Sequence, residues 1–162
     1  MTVRQKRLGV WEPVDDSVLG PISGPVNTPA SIAGEELVLV DPADDRERTW
    51  LAGAAAKGAT VNVGDGVSTL LADLREVQPT WFRARPEVWH QLRDEVERRA
   101  GDASWLGRFA YRRRLLVRRS VRRWLGLARV RCAQSTGSLD PTILAWYRGL
   151  GIIIDVEDGI DG

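Results

Sequence analysis

The segment GIIIDVEDGIDG, residues 151–162, interleaves carboxylates with glycines. Asp155, Glu157, Asp158 and Asp161 carry the hard oxygen donors that divalent cations prefer. Their spacing fails for a calcium loop. Counted from Asp155, position 5 is Gly159 and position 6 is Ile160, where an EF-hand needs an acid and then a glycine. No metal site is assigned. Ile152 to Ile154 are β-branched and read as a buried strand, with Asp and Gly forming the turn at its carboxyl end. Ligands of α/β proteins sit at such ends.

Other groups with chemical potential are scattered. VGDGVST (63–69) precedes a helical pattern, so its N–H groups could meet an anion; a plain strand-to-helix turn is the simpler reading. His90, the single histidine, stands beside Trp89 on a predicted helix without a metal partner one turn away, and reads as a surface residue. Cys132 lies in a predicted strand as a small core residue. RFAYRRRLLVRRSVRRWLGLARVR (108–131) could face nucleic acid or an anionic membrane. Its Leu116, Val117, Val121, Trp124 and Leu125 also make an apolar stripe, as in a helix docked on a core with its arginines in solvent. No residue is assigned a catalytic role.

Composition sets outer limits. A chain of 162 residues is about one domain, and a net charge of +1 exerts no global pull toward nucleic acid. One cysteine excludes an intramolecular disulfide and fits a reducing compartment. No apolar run reaches the roughly 18 residues of a membrane span, and no h-region follows the basic start. A cytoplasmic location is expected. Lys6 and Lys57 are the only lysines among many arginines, which fits a high-GC coding bias.

The elements that must position these groups alternate. Residues 1–34, rich in Pro and Gly, are expected to form an irregular arm, and residues 35–162 an α/β domain. Strands are predicted at 37–40, 59–63, 80–84, 130–134 and 151–156. Helices are predicted at 46–57, from Ser68 to Val77, after Pro86, over 103–126 and over TILAWYRGL. Alternation of this kind implies a partial parallel sheet with right-handed β-α-β crossovers. Loops 64–67, 84–86, 134–140 and 157–162 then lie at carboxyl ends of strands.

GATVNV, STLLADLREVQPTWFRARPEVWHQL and LLVRRSVRRWLGLARVRCAQSTGSLDPTILAWYRGLGIII together resemble the adenylate-forming long-chain fatty-acyl-CoA synthetases, the fatty-acid–CoA ligases. Members carry GATV, a TLLEDLREVRPT helix, a VPRVWEK turn and SGAAPLSPEVLEFFRALGIPLLEGYGLTE. The resemblance runs from about residue 35 to residue 162 and implies a fragment of the large AMP-binding domain. It implies ATP-dependent activation of a fatty acid to an acyl-adenylate and transfer to CoA, with magnesium. The family's nucleotide-binding Tyr-Gly-x-Thr-Glu aligns with Asp158, Gly159, Ile160, Asp161 and Gly162, where only the glycine matches. Asp161 could substitute weakly as a magnesium ligand. SGAAP, which lines the adenine and acyl-adenylate pocket, aligns with Ser135, Thr136, Gly137 and Ser138, one residue short. In PRVW, Pro86, Val88 and Trp89 match and Glu87 replaces arginine; Trp89 carries over as an acyl-tunnel residue or stands as a core aromatic. LPLAHVFER aligns with VDPADDRER, so Asp44 stands at the histidine while Glu47 and Arg48 match.

The resemblance also implies a lysine-bearing phosphate loop upstream of Leu37, where LGPISGPVNTPASIAGEE does not match, and a hinge and small catalytic domain after residue 162. The chain alone is therefore expected to perform neither half-reaction and to need no cofactor of its own. Open sheet edges leave room for self-association or pairing with another synthetase chain. A non-catalytic binding module with fatty acid as ligand, a decayed remnant, and an Arg-rich helix on nucleic acid or membrane are the other readings.

Overall fold

The computed structural model describes residues 2–22, 26–101 and 114–157. It is a mixed α/β structure with parallel sheets. Strand β3 (Glu36–Leu39) leads through helix α1 (Asp45–Ala56) to β4 (Thr60–Val63), which pairs with it in parallel. Helix α2 (Leu70–Val77) leads to β5 (Trp81–Ala84), and α3 (Pro86–Gly101) and α4 (Arg114–Trp124) lie between β5 and β6 (Cys132–Ser135). Helix α5 (Pro141–Gly149) then leads to β7 (Ile154–Val156), and β5, β6 and β7 form a parallel sheet in that order.

The N-terminal segment differs from expectation. The irregular arm expected over 1–34 instead begins with an antiparallel hairpin, β1 (Thr2–Arg7) and β2 (Val10–Val14). Strand β1 also pairs in parallel with β4, giving the order β2-β1-β4-β3. Only two residues join the hairpin, Leu8 and Gly9, both at positive φ (51° and 80°) as the primed hairpin turns require. Pro13 sits in β2, the outer strand, which is where a sheet tolerates a residue without an N–H. Short 3-10 turns at Asp16–Leu19 and Ala30–Ile32 bury Leu19 and Ile32 beneath α1.

The two sheets meet at one corner. Thr80 N–H donates to the Glu36 carbonyl (2.9 Å), and Glu36 N–H donates to Thr80 Oγ1 (2.8 Å). Beyond that corner the strands part. Strand alternation then builds a core on each side. Val3, Leu37, Leu39, Val61, Val63 and Trp81 pack with α1, while Val38, Val40, Phe82, Ala84, Ala133 and Ile154 pack with the other helices.

Local signals fix the helices. Asp44 caps α1 by accepting from Arg46 and Glu47 N–H, and Asp140 caps α5 by accepting from Thr142 N–H, with Pro141 opening that helix. Helix α4 ends at Gly126, whose φ is 76° and whose missing Cβ would lie 2.2 Å from the Leu74 carbonyl carbon. That contact sets α4 directly on α2. The helix predicted over 103–126 is seen from Arg114; residues 102–113 lie outside the described ones. The isoleucine run is not wholly strand: Ile152 and Ile154 are buried, whereas Ile153 is 71% exposed and β7 starts at Ile154.

Candidate functional site

The carboxyl ends of β3, β5, β6 and β7 lie along one side of the molecule, and charged residues tie their loops together. After β3 the chain turns through Val40–Asp44 into α1. Glu47, in the first turn of α1, folds back onto that turn: its Oε1 accepts from Val40 N–H (3.3 Å) and its Oε2 from Asp41 N–H (3.1 Å). The carboxyl is buried. Burial pushes its pKa up to about 7, against the pull of those two N–H bonds. Arg85, after β5, donates from Nη2 to Asp41 Oδ2 (2.8 Å), with its Nε 3.9 Å from Asp44 Oδ2. The β3 and β5 loops are thereby clamped to each other.

After β6, Ser135 is fully buried, and its hydroxyl donates to the Gly137 carbonyl (2.7 Å). Thr136 N–H donates to the Ala84 carbonyl (3.1 Å), and Gly137 packs close to Pro86. Ser138 is exposed. Glu157 N–H donates to the Ser135 carbonyl (2.8 Å), extending the β6–β7 pairing by one residue. The structure thus brings Ser135, Thr136 and Gly137 against the β5 loop. Asp158, Gly159 and Asp161 lie outside the described residues.

Trp89 is sealed in the core at 0% exposure. Phe82 and Tyr147 each meet its ring edge-on at 5.0 Å, and its Nε1–H donates to the Gln134 carbonyl (3.3 Å). Tyr147 O–H donates to the Trp89 carbonyl (2.7 Å), and burial raises the phenol's pKa. Through Gln134, Trp89 holds the end of β6 just before Ser135.

On the opposite sheet face, Arg83 stacks on the Trp50 ring (4.7 Å) and donates from Nη2 to Glu157 Oε2 (2.6 Å). A cleft of about 400 Å³ opens beside this pair, between α1 and the ends of β5 and β7.

The remaining candidates are placed as follows. In the turn at 63–69, Gly64 lies against the carboxylate of Asp73 from α2 itself. Thr69 Oγ1 and Lys6 Nζ flank that carboxylate at 2.8 Å and 3.0 Å. His90 is half-buried on α3, and Cys132 is half-buried at the start of β6 with its thiol pKa raised by burial. Among the described residues no group of three His, Cys, Asp or Glu side chains could hold a metal ion. Several arginines of the basic stretch serve the fold. Arg122 donates to the carbonyls of Leu127, Ala128 and Val130, and Trp124 lies under both Arg75 and Arg99. Among the described residues no helix is long and apolar enough to cross a membrane.

No family model and no curated protein matches the chain. Two solved structures do. The A domain of carboxylic acid reductase from Segniliparus rugosus, in complex with AMP and a co-purified carboxylic acid, matches 77% of this chain with a TM-score of 0.54 and 18% identity. The A-PCP didomain of carboxylic acid reductase from the same organism, in complex with AMP, matches 93% with a TM-score of 0.58 and 17% identity. The fold is, in part, that of the A domain of carboxylic acid reductase. The chain spans 21% of the length of either structure. Open α/β sheets bind ligands at the carboxyl ends of their strands, which is where the loops after β3, β5 and β6 converge.

Sequence reasoning missed the Arg83–Glu157 and Arg85–Asp41 pairs and the strap made by Glu47. The first two join residues 74 and 44 positions apart, so no local spacing announces them. Glu47 stood out only through the resemblance.

Proposed function

We propose that this chain is a fatty-acid–CoA-ligase-like part of an adenylate-forming domain that, as the 162-residue polypeptide, binds rather than reacts. The observation that carries the second half is the engagement of both lysines and of Arg83 and Arg85. Lys6 is held by Asp73 and Glu76, and Lys57 donates to the Thr28 carbonyl. At the carboxyl ends of the strands, Arg83 and Arg85 are each paired with carboxylates of the chain itself. Phosphoryl chemistry needs cations and N–H donors turned toward the transferring group. No catalytic step is routed through ATP or magnesium, which the resemblance brings.

The fatty-acid preference rests on the sequence resemblance. An acyl chain beside Trp89 belongs to the same proposal, with the condition that Phe82 or Tyr147 yields, because the ring has no exposed surface. Incubation of the purified chain with ATP, magnesium and palmitate is expected to release no pyrophosphate above background. Palmitate-dependent release that disappears in Asp161→Asn would sink the non-catalytic reading.

A second reading, self-association or pairing with another synthetase chain, is favoured by one feature. Ile153 is 71% exposed beside β7, the outer strand of its sheet. Size-exclusion chromatography with light scattering decides it: a monomer at every concentration removes self-association.

A further inference from the structure

We propose that Glu47 is a proton-operated latch on the loops after β3 and β5: ionised, it holds the Val40–Asp41 turn, and one added proton frees Asp41 and with it the Arg85 clamp.

The Glu47 carboxyl stands where a charge is poorly supported. It belongs to a residue 7% exposed, and among the described residues its hydrogen bonds come from the Val40 and Asp41 N–H groups, with no ion pair. Arg83, on β5, is the cation that faces it, but that guanidinium is taken up by Trp50 and Glu157. Asp44, the cap of its own helix, repels it. The Asp41 carboxylate, on the loop after β3, is turned to Arg85 (2.8 Å), whose Nε lies 3.9 Å from Asp44 Oδ2. Burial and Asp44 favour the neutral carboxyl; the two N–H bonds and Arg83 favour the charged one; the balance falls at about 7.

The proton decides which bonds survive. A carboxylate accepts through both oxygens, whereas a neutral carboxyl carries a hydrogen on one of them. One of the two N–H groups must lose its acceptor. Val40 is 2% exposed, while Asp41 is half-buried at the surface of the loop. A buried donor left unmet costs more than one that turns to water, so the proton from solvent settles on Oε2 and Asp41 is released. The rest of the loop hangs on Asp41. Its carboxylate takes Arg85 on one oxygen and Ala43 N–H (2.9 Å) on the other, and its carbonyl takes Asp44 N–H (3.0 Å). Its displacement moves the Arg85 fork and loosens the β3 loop from the β5 loop. The change is local, because Asp44 still caps α1 and Val40 stays bound.

The test is a nuclear magnetic resonance titration of the isotopically labelled 162-residue chain, from about pH 5 to about pH 8.5. The Glu47 carboxyl carbon, the Asp41 amide and the Arg85 Nε–H are expected to shift together with one midpoint at about 7, and the Val40 amide to shift less. Glu47→Gln, neutral at every pH, is expected to hold the Asp41 and Arg85 signals at the positions they take at the acid end in the wild type. His90→Gln, which removes the single imidazole, is expected to leave all three titrations in place. The carboxyl carbon reads the proton in the wild type itself, so the coupling is decided there even if Glu47→Gln does not fold. The Thr60 amide, at the opposite end of the first sheet, is expected to stay fixed. A Glu47 carbon that titrates only below about pH 5, an Asp41 amide that does not follow it, an Arg85 signal that stays still while Asp41 moves, titrations that persist in Glu47→Gln, or a Thr60 amide that moves in step overturns the latch. Pyrophosphate release plays no part in this titration, so the latch and the non-catalytic reading fail separately.

Discussion

Glu47 is the residue whose chemistry departs most from what its type suggests. It straps the main chain at Val40 and Asp41 from inside the protein, and its carboxyl is raised from its ordinary 4.5 to about 7. At pH values below both figures it is protonated whether the chain is folded or not, and above both it is ionised in either state. Between them the folded chain keeps a proton that the unfolded chain has released. Stability from this source therefore falls as pH rises through the window, by on the order of 3 kcal/mol in total. Glu47→Gln carries no titrating group. Urea unfolding of both proteins from about pH 5 to about pH 8 is expected to show the wild type losing ground to the variant by that order. A difference that stays constant with pH would remove the assignment. Sequence alone marked Glu47 through its match to a family loop, but its role depends on α1 folding back over β3, which no spacing rule contains. Trp89 was more legible: its place on an apolar helix face anticipates its burial, while its bond to the Gln134 carbonyl is set by the tertiary fold.

Among the elements, the hairpin β1–β2 and the contact of α4 with α2 carry the clearest expectations. Leu8 takes a left-handed conformation that costs an L-residue about 1–2 kcal/mol, less for asparagine, and its side chain lies wholly in solvent. Leu8→Asn should raise stability by about 0.5–1 kcal/mol, read as a higher urea midpoint; no gain would mean that the turn is not as described. Gly126→Ala should do the reverse. A methyl there meets the backbone of Leu74 at 2.2 Å, so α4 must move off α2, at about 3 kcal/mol or more. A near-neutral Gly126→Ala would mean that the two helices are not in contact. The helices and parallel strands were largely legible because capping and apolar pattern agree; α1, predicted at 46–57, runs Asp45–Ala56. The hairpin was not. TVRQKR shows little apolar alternation because one of its faces meets charges rather than a core: Arg4 pairs with Glu36, and Lys6 with Asp73 and Glu76. Those carboxylates hold the Lys6 pKa above its usual value, Glu76 contributing most. The available signal was the two-residue Leu-Gly link between runs of strand-compatible residues.

At the scale of the molecule, the corner where the two sheets meet decides whether the chain unfolds as one unit. Thr80 and Glu36 exchange two hydrogen bonds there, and Arg131 pairs with Glu35 beside them (2.6 Å). Trp50 and Trp81 report on one core and Trp89 on the other. Tryptophan fluorescence and far-ultraviolet circular dichroism are expected to trace one coincident urea transition. Two separated transitions would show the cores to be independent. Thr80→Val, which removes the acceptor for Glu36 N–H, should lower the common midpoint at a cost of about 1–2 kcal/mol. The α/β architecture with parallel strand pairing was legible from the alternation of strand and helix patterns. The division into two sheets was not, because it turns on where β3 and β5 stop pairing.

The two rims of this pair of sheets are unequal, and that sets how chains could add to one another. Pro13 breaks the row of outward donors on β2, while β7, Ile154–Val156, carries no proline. Fibre growth needs two sticky ends per subunit. With Pro13 in it, the β2 rim is a poor candidate for either of them.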